Sequence, residues 1–470
     1  MEKTDLIIVG AGVSGMVAAL QAYSMGIRKI TMLEKMDHAG GNGVYSWIPI
    51  GKKNSEKADV SQPKRPSTSQ LLKNAVEWSH GRINISLVRE LIRTADSNSD
   101  ALLEYLPSEK RTFVGYDPKI IATVCEQLGI CILYSTVALN LVTDISGAII
   151  GVEVKNERTN STVTLYGEAV IIATGGFIGN SEMMQRFFPF CDKTAYDEMT
   201  IVGNKYSGDG VRMALDVGAG IDTTAIEWEV NRYPWNGRFG ESALSQILDH
   251  GMYPYPIWLN ANGERFVDET DMCSMNNYFR QPHQMCYTFF DEAMLNIMTS
   301  DTRNDVPVDY STGGGAFRLK VMDEIKEACK AGRAIVSQDL HTISHWMHVD
   351  YQKLLSTLNE YNSGCVRGCD AYFNRNKNKL FKLEVPPFYC IKTVSALLLT
   401  RGPIKASTAL EVVTTNNEVI KNLFIAGVDV GGMDSDTYAG NVPMHSSQWA
   451  VASGRIAGTS AAKLIYKKRN

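Results

Sequence analysis

The chain has 470 residues, 44% of them hydrophobic, and a formal net charge of −4 at pH 7. A chain of this length buries a large core and divides into about two domains. The slightly acidic balance of mixed signs argues against a nucleic acid as partner. The nine cysteines are scattered without a pairing pattern, which favours reduced thiols and a cytoplasmic location. No secretory signal is expected, nor a membrane span, because no apolar run approaches ~20 residues.

The N-terminal segment has the order strand, glycine turn, helix, strand and acidic residue. The apolar run 5–9 precedes Gly10, Gly12 and Gly15, which give the spacing G-x-G-x-x-G. In this motif the first glycine permits a tight turn, the second lets the backbone approach a pyrophosphate, and the third lets the helix pack close to the strand. Glu34 follows the second strand, where a carboxylate accepts hydrogen bonds from ribose hydroxyls and repels a 2′-phosphate. The pattern predicts a dinucleotide site at a helix N-terminus; a glycine-rich turn in another kind of α/β protein is the alternative.

Three further segments favour FAD over a nicotinamide cofactor. Residues 40–42 are Gly-Gly-Asn, and a flavin cofactor needs backbone to approach there because it extends beyond the pyrophosphate. The apolar run 169–173 ends in Thr-Gly-Gly, and the late run 422–426 is followed by Gly427 and Asp429. In FAD proteins of this architecture the first, middle and late strands lie side by side, and all three contact the cofactor.

Together these motifs resemble the flavoprotein family of soluble fumarate reductases, succinate dehydrogenase flavoprotein subunits and 3-ketosteroid dehydrogenases. The resemblance covers nearly the whole chain and includes EKMDHAGGNG, VIIATGGFIGN, YSGDGVRMALDVGA, NANGERFVDE and NLFIAGVDVGG. It implies an α/β fold with a Rossmann-like FAD-binding domain, which has a central parallel sheet and a small antiparallel sheet, and an inserted α+β capping domain. The expected bounds are 1–221 and 346–470 for the FAD-binding domain and 222–345 for the capping domain.

The resemblance also implies which residues hold FAD. Val137 is at the backbone position that contacts the adenine. The N-terminus of the last helix would face the flavin N1 and C2 carbonyl, where its dipole stabilises the charge that builds on reduction. The expected cofactor-binding residues are Gly10, Gly12, Val13, Ser14, Gly15, Glu34, Lys35, Gly40, Gly41, Asn42, Gly43, Val137, Ala173, Thr174, Gly175, Asp209, Gly427, Asp429, His445, Ser446 and Ser447.

The substrate-binding positions depart from the fumarate reductase pattern. Cys273 or a close neighbour is at the place of the family's arginine proton donor, and residues 398–402 are at the place of its His-His-Thr motif. The segment 434–441 matches the family's carboxylate-binding arginine segment, but it holds Asp434 and Asp436 and no arginine. Because acidic side chains would repel a dicarboxylate, we expect neither fumarate nor succinate to be the substrate.

Tyr438 is the main candidate for catalysis. Its setting, Thr-Tyr-Ala-Gly, resembles that in the ketosteroid dehydrogenases, in which a tyrosine acts on a ketone-bearing substrate. A tyrosine hydroxyl donates a hydrogen bond to an enone carbonyl or relays a proton; packing over the flavin edge is the alternative. Arg401 is a candidate to hold an anionic group, and Cys273 to face the substrate. A surface arginine and an inert buried thiol are the corresponding alternatives.

The histidines of one segment have a spacing that can bind metal. His341, His345 and His348 fall on one helix face. The family has no metal at the equivalent helix, so no metal site is expected.

The sequence therefore predicts an FAD-dependent oxidoreductase that reduces or dehydrogenates a C–C bond next to a carbonyl by hydride transfer at flavin N5. An enone, a ketosteroid-like compound or an unsaturated acid is the expected small-molecule substrate. A separate electron donor is also expected, either a flavin reductase, reduced flavin or NAD(P)H. The alternatives are a dicarboxylate reductase of the fumarate reductase type with altered clamps, a flavin-dependent hydroxylase, and a flavin-binding protein that has lost catalysis.

Overall fold

The computed structural model describes residues 4–45, 67–106, 118–191, 206–232, 243–248, 256–270, 277–299, 313–435 and 446–470. The strands are β1 Thr4–Val9, β2 Ile30–Leu33, β3 Cys131–Leu133, β4 Thr136–Thr143, β5 Ile149–Asn156, β6 Ser161–Ile172, β7 Ala225–Arg232, β8 Ile257–Leu259, β9 Met285–Asp291, β10 Ala334–Ser337, β11 Phe388–Arg401, β12 Glu411–Val413 and β13 Val419–Ile425. The α-helices are α1 Val13–Ser24, α2 Thr68–Trp78, α3 Ile85–Leu103, α4 Pro118–Gln127, α5 Ser181–Phe187, α6 Asp209–Asp216, α7 Ala243–Leu248, α8 Glu292–Met298, α9 Gly313–Lys330, α10 Leu340–Met347, α11 Tyr351–Arg367 and α12 Ser446–Arg469.

The first of two compact units comprises Met1–Met183, Val202–Glu227 and Leu399–Asn470. In the described part of this unit, an eight-stranded sheet has the order β12-β13-β6-β1-β2-β3, with β5 attached to β6 and β4 to β5. The path from β13 to β3 is parallel, and β4, β5 and β6 form an antiparallel extension. β1 is buried along nearly its whole length, as expected of a strand covered on both faces. The predicted Rossmann-like fold with a small antiparallel sheet is confirmed.

Within this unit, α1 and α12 approach each other closely at two glycines. A methyl group on Gly454 would lie 2.5 Å from the backbone oxygen of Ser14, and one on Gly458 would lie 2.4 Å from that of Ala18. Both separations are below van der Waals contact, so any larger residue would push the helices apart. The two glycines therefore fix α12 against the helix that follows the first glycine turn.

The second unit comprises Met184–Ile201 and Trp228–Leu398. Its described strands form a five-stranded sheet of order β10-β11-β9-β8, with β7 paired to β11, and the pairs β10–β11, β11–β9 and β8–β9 are antiparallel. β9 is buried throughout, and the rings of Phe290 and Tyr389 stack across β9 and β11 with centroids 5.0 Å apart. This unit is an antiparallel sheet with helices, as the α+β prediction describes.

The bounds of the second unit differ from the predicted range 222–345. The structure places the return to the first unit at Leu399. Side chains of α10 and α11, among them Ile343, Leu354 and Leu358, belong to the same hydrophobic core as Phe289 of β9. The predicted boundary at 346 is therefore corrected, because residues 346–398 pack with the inserted unit.

A buried ion cluster ties separate parts of the second unit together. Glu269 pairs with Arg265 at 2.8 Å and with Arg375 at 2.9 Å, and Arg265 also pairs with Asp370 at 2.9 Å. Burial opposes ionisation of Glu269, but the nearby guanidinium groups outweigh it and hold the pKa of this carboxyl below its usual value. The cluster is thus a fixed charge network in which each buried ion has an opposite partner.

The described residues include no helix long and apolar enough to cross a membrane.

Candidate FAD site

The glycines of the first turn have different surroundings. Gly10 has φ +108°, and a methyl group there would lie 2.2 Å from the Ala173 backbone oxygen, whereas one on Gly15 would lie 2.0 Å from the Gly10 oxygen. A methyl group on Gly12 would find nothing nearer than the Cα of Gly41, at 4.0 Å. Gly10 and Gly15 are therefore required by the fold itself, whereas a methyl group on Gly12 would make only an ordinary van der Waals contact. Gly12 precedes the N-terminus of α1, the kind of helix end that binds a pyrophosphate.

Glu34 is buried after β2 and is oriented by the backbone. Its Oε2 accepts the N–H of Ala11 at 3.0 Å, and its Oε1 accepts the N–H of Met36 at 2.9 Å. Burial raises the pKa of Glu34, although these two donors favour the ionised form. The backbone oxygen of Glu34 accepts the N–H of Thr136 at 2.9 Å, which brings Val137 beside it. Each carboxylate oxygen still has a lone pair that can accept a ribose hydroxyl.

Lys35 and Asp209 are paired. The Lys35 Nζ lies 3.1 Å from Asp209 Oδ2 and 2.8 Å from Ser207 Oγ, and Ser207 also donates to Asp209 at 2.7 Å. Asp209 is at the start of α6. Both predicted residues therefore belong to one hydrogen-bonded group. Ser207 was missed, because only the fold brings it to Lys35.

The second glycine pair lies directly against the first turn. Gly40 forms a parallel bridge with Gly12 and donates its N–H to the Ala11 backbone oxygen at 2.9 Å. Both Gly40 and Gly41 have positive φ, at +123° and +55°, which favours glycine. A methyl group on Gly43 would lie 2.4 Å from Cγ2 of Val13. The predicted segment 40–43 and the first turn thus form one continuous wall.

Asp429 holds the turn that follows β6. Its carboxylate accepts the backbone N–H of Thr174 at 2.6 Å, of Gly175 at 3.2 Å and of Gly176 at 2.7 Å, together with the Thr174 hydroxyl at 3.0 Å. Burial raises the pKa of Asp429, and the four donors act in the opposite direction. The side chain therefore fixes the shape of this turn from the end of β13.

Gly427 joins the first turn to α12. A methyl group on Gly427 would lie 2.5 Å from Ser14 Oγ. Ser453 Oγ accepts the Gly427 N–H at 2.8 Å, and Trp449 Nε1 donates to the Gly427 oxygen at 2.7 Å. Ser453 and Trp449 were not predicted, because the sequence gives no local signal for a contact between α12 and this turn.

The start of α12 carries an acceptor suited to a ligand. Gln448 Oε1 is buried and has no hydrogen-bond partner within the ranges that the structure describes. Ser446 and Ser447 are in the same first turn. The unsatisfied buried acceptor of Gln448 and the absence of a close contact at Gly12 both fit a bound dinucleotide with polar groups at each end. The residues present therefore fit FAD, and their roles in binding it stay predictions.

Arg401 lies at the end of β11, next to this helix start. Its Nε is 2.5 Å from Asp434 Oδ2, its Nη1 donates to Ser446 Oγ at 2.9 Å, and both charged side chains are buried. The preceding residue, Thr400, accepts the Phe177 N–H at 2.8 Å, just after the turn that Asp429 holds. From the sequence, Asp434 was expected to repel an anionic substrate. In the structure, Arg401 compensates the charge of Asp434.

Three predicted residues, Tyr438, Cys273 and His445, lie outside the described residues. In the ranges described, no group of three or more His, Cys, Asp or Glu side chains could hold a metal ion. His341 stacks on Tyr351 with ring centroids 3.4 Å apart.

Two family models match the chain. The "FAD binding domain" model covers residues 67–440, and an "NAD(P)-binding Rossmann-like domain" model covers residues 8–48. The chain therefore belongs to the FAD binding domain family of flavoproteins. It is an FAD-dependent oxidoreductase, and the predicted family and cofactor are confirmed.

Curated relatives and solved structures resemble the chain over almost all of its length. Vinyl phenol reductase of Lactiplantibacillus plantarum is 28% identical, covering 99% of this chain and 98% of that protein. Urocanate reductase of Eggerthella lenta is 25% identical, covering 98% of this chain and 75% of that protein. The structure of 3-ketosteroid-Δ4-(5α)-dehydrogenase from Rhodococcus jostii RHA1 has a TM-score of 0.73 at 17% identity, covering 98% of this chain and 97% of that one. The last similarity concerns the fold alone.

Proposed function

We propose that the protein reduces the C=C bond of an uncharged conjugated alkene, with a vinylphenol as the first substrate to test. The observation that carries this proposal is the buried pair of Arg401 and Asp434. Arg401 ends β11 beside the start of α12, and Asp434 begins the segment that resembles the carboxylate-binding segment of the fumarate reductases. Because Asp434 compensates this guanidinium, the pair has no net charge to offer an anionic substrate.

Charge energetics favour a neutral substrate. Moving a carboxylate from water into a buried site is unfavourable unless an opposite charge receives it. The Arg401 Nε already donates to Asp434, so a substrate carboxylate would have to compete with a permanent partner. A phenol hydroxyl is uncharged at neutral pH, since its pKa is about 10, and needs only hydrogen-bond partners.

The comparisons support the same choice of substrate. The vinyl phenol reductase matches this chain end to end, at 28% identity. The fumarate reductase (cytochrome) of Shewanella frigidimarina is 21% identical, and this chain covers 78% of it. The substrate of a relative at this identity is a guide to the class of compound, and the choice within that class is our proposal.

Different residues of the chain would bind the cofactor, stabilise its negative charge and supply the proton. FAD, when bound, supplies a two-electron transfer from flavin N5 to one carbon of the alkene. Glu34, Lys35 and the glycine turn would hold the adenosine and pyrophosphate, and the start of α12 would stabilise negative charge on the reduced ring. Tyr438 is proposed to supply the proton to the other alkene carbon or to bind the phenol hydroxyl. The separate electron donor and the cytoplasmic location stay predictions.

Product analysis tests this function. The holoenzyme, reduced chemically without oxygen, should convert 4-vinylphenol to 4-ethylphenol, and in D₂O the product should gain deuterium. Conversion of fumarate with an equal or higher kcat/KM would instead support the dicarboxylate reductase. No turnover of phenols, enones or ketosteroids would favour a flavin-binding protein without catalysis.

A further inference from the structure

Arg401 lies at the start of α12, the helix end that the resemblance to the flavoprotein family places against the flavin. Its Nη1 donates to Ser446 Oγ at the first residue of α12, and its backbone oxygen accepts the Thr224 hydroxyl at 2.8 Å. The side chain is buried, so water screens its charge weakly. A helix N-terminus is itself partly positive, so without a counter-ion this position would attract anions.

Asp434 is held in place from several sides. Thr223 Oγ1 donates to the backbone oxygen of Asp434 at 2.5 Å, and Arg82 Nη2 donates to the hydroxyl of Ser435 at 2.9 Å. Nearby, the N–H of Asn84 donates to the Gly432 oxygen at 2.8 Å. The backbone that carries Asp434 is therefore held next to Arg401. A buried ion pair is often no more stabilising than an apolar pair of the same size, so fold stability alone does not account for it.

We propose that Asp434 is the specificity-determining residue of this site, because it cancels the charge of Arg401 and so excludes carboxylate substrates. This inference rests on the proposed function for the kind of substrate that is accepted. An arginine without its carboxylate presents a planar fork of N–H donors, which matches a carboxylate. Asp434→Asn removes one negative charge and keeps the shape and an acceptor for the Arg401 Nε. The variant should therefore bind anionic ligands that the parent protein rejects.

A ligand pair that differs by a carboxylate tests this inference without turnover. The probes are 4-ethylphenol and 3-(4-hydroxyphenyl)propanoate, and binding to the oxidised holoenzyme is followed by the change in flavin absorbance. Asp434→Asn should bind the anionic probe at least about tenfold more tightly than the parent, the gain of one charge-assisted hydrogen bond. The double variant Arg401→Gln/Asp434→Asn should lose this gain. Asp216→Asn, which removes an exposed aspartate paired with Arg212, should not change binding.

The flavin midpoint potential provides a second readout that needs no substrate. Asp434→Asn should shift the potential to a more positive value, because the reduced flavin gains from the uncancelled guanidinium, and Arg401→Gln should shift it to a more negative value. If the parent enzyme fails to turn over vinylphenols but these opposite shifts occur, the proposed function is wrong and the charge role of Asp434 stands. If Asp434→Asn does not fold, Asp434→Ser, which also removes the negative charge, replaces it in both measurements. No gain in anion binding and no shift of potential in the folded variants would overturn the inference.

Discussion

Gly10 and Gly12 belong to the same turn, yet a methyl group would meet opposite surroundings at these two positions. At Gly10 it would overlap the Ala173 backbone oxygen at 2.2 Å, with φ at +108°. At Gly12 φ is −76°, which alanine tolerates, and the nearest atom would be 4.0 Å away. The sequence motif does not distinguish the two glycines, whereas in the structure only Gly10 lacks room for a side chain. That Gly12 contacts the pyrophosphate stays a prediction.

Gly12→Ala should therefore leave the apoprotein folded and reduce its affinity for FAD by at least about tenfold, because the added methyl group occupies the space for the pyrophosphate. Thermal unfolding of the apoprotein and titration with FAD measure the two effects separately. Gly10→Ala is the matched comparison and should lower the melting temperature of the apoprotein itself. Equal FAD affinity in Gly12→Ala and the parent protein would refute the placement of the pyrophosphate.

Glu34→Gln tests the predicted contact with the ribose. The amide has the same shape as the carboxylate, but only one of its two terminal atoms can accept a hydrogen bond. The ribose hydroxyls therefore lose hydrogen bonds to a charged acceptor, which are worth about 1.5–3 kcal/mol. The FAD dissociation constant should rise by roughly tenfold or more. Recovery of free flavin fluorescence on dilution measures the change. Glu77→Gln, which alters an exposed glutamate on α2, is the control and should bind FAD as the parent does.

At the scale of elements, the contact between α1 and α12 depends on small residues. Replacing an exposed glycine in a helix with alanine ordinarily stabilises the protein by about 1 kcal/mol. Gly458→Ala should instead destabilise the protein, because its methyl group would lie 2.4 Å from the Ala18 oxygen. Overpacking of this kind costs about 1–3 kcal/mol. Thermal unfolding should show a lower melting temperature for Gly458→Ala and little change for Ser460→Ala on the same helix. A raised melting temperature in Gly458→Ala would contradict the close packing of these helices.

The ion cluster around Glu269 gives the second unit a defined acid sensitivity. Since the pKa of Glu269 is lowered in the folded protein, its stabilisation is complete above its unfolded pKa of about 4.3. This stabilisation is lost as the pH falls through the folded-state pKa. Glu269→Gln should destabilise the protein at pH 7 by about 3–5 kcal/mol, because it leaves buried guanidinium groups without their carboxylate.

The melting temperature of Glu269→Gln should also fall less steeply than that of the parent below about pH 4.3, where a glutamate of the unfolded chain takes up its proton. Calorimetry across the acid range measures both effects. Glu327→Gln removes an exposed pair with Lys330 and should match the parent. A parallel acid profile for Glu269→Gln and the parent would show that the lowered pKa is not a source of stability.

At the scale of the whole molecule, local patterns predicted much of the fold. The parallel sheet and the glycine turn followed from the periodicity and spacing of single segments. Contacts between distant segments could not be predicted in this way, since Asp429 and Thr174 are 255 positions apart and Arg401 and Asp434 are 33 apart. The domain boundary at 399 was missed for a similar reason, because α10 and α11 have the same helical pattern whichever core they join.

The net charge near the substrate is a property of the whole site. The sequence shows two aspartates at the place of the family's arginine, and repulsion of anions was the natural interpretation. The structure supplies the guanidinium of Arg401 from another strand, so the described pair is neutral. Neutrality predicts a preference for uncharged alkenes, whereas repulsion alone would have predicted a site that also favours cations.

The reoxidation of the reduced holoenzyme by a matched pair of alkenes tests this account most directly. The protein is reduced chemically without oxygen and mixed in a stopped-flow instrument with 4-vinylphenol or with 4-hydroxycinnamate, which adds a carboxylate to the same conjugated ring. We predict that 4-vinylphenol reoxidises the flavin at least about tenfold faster at equal concentration, the rate ratio given by a barrier difference of about 1.4 kcal/mol. Equal or faster reoxidation by 4-hydroxycinnamate would contradict the neutral-substrate account.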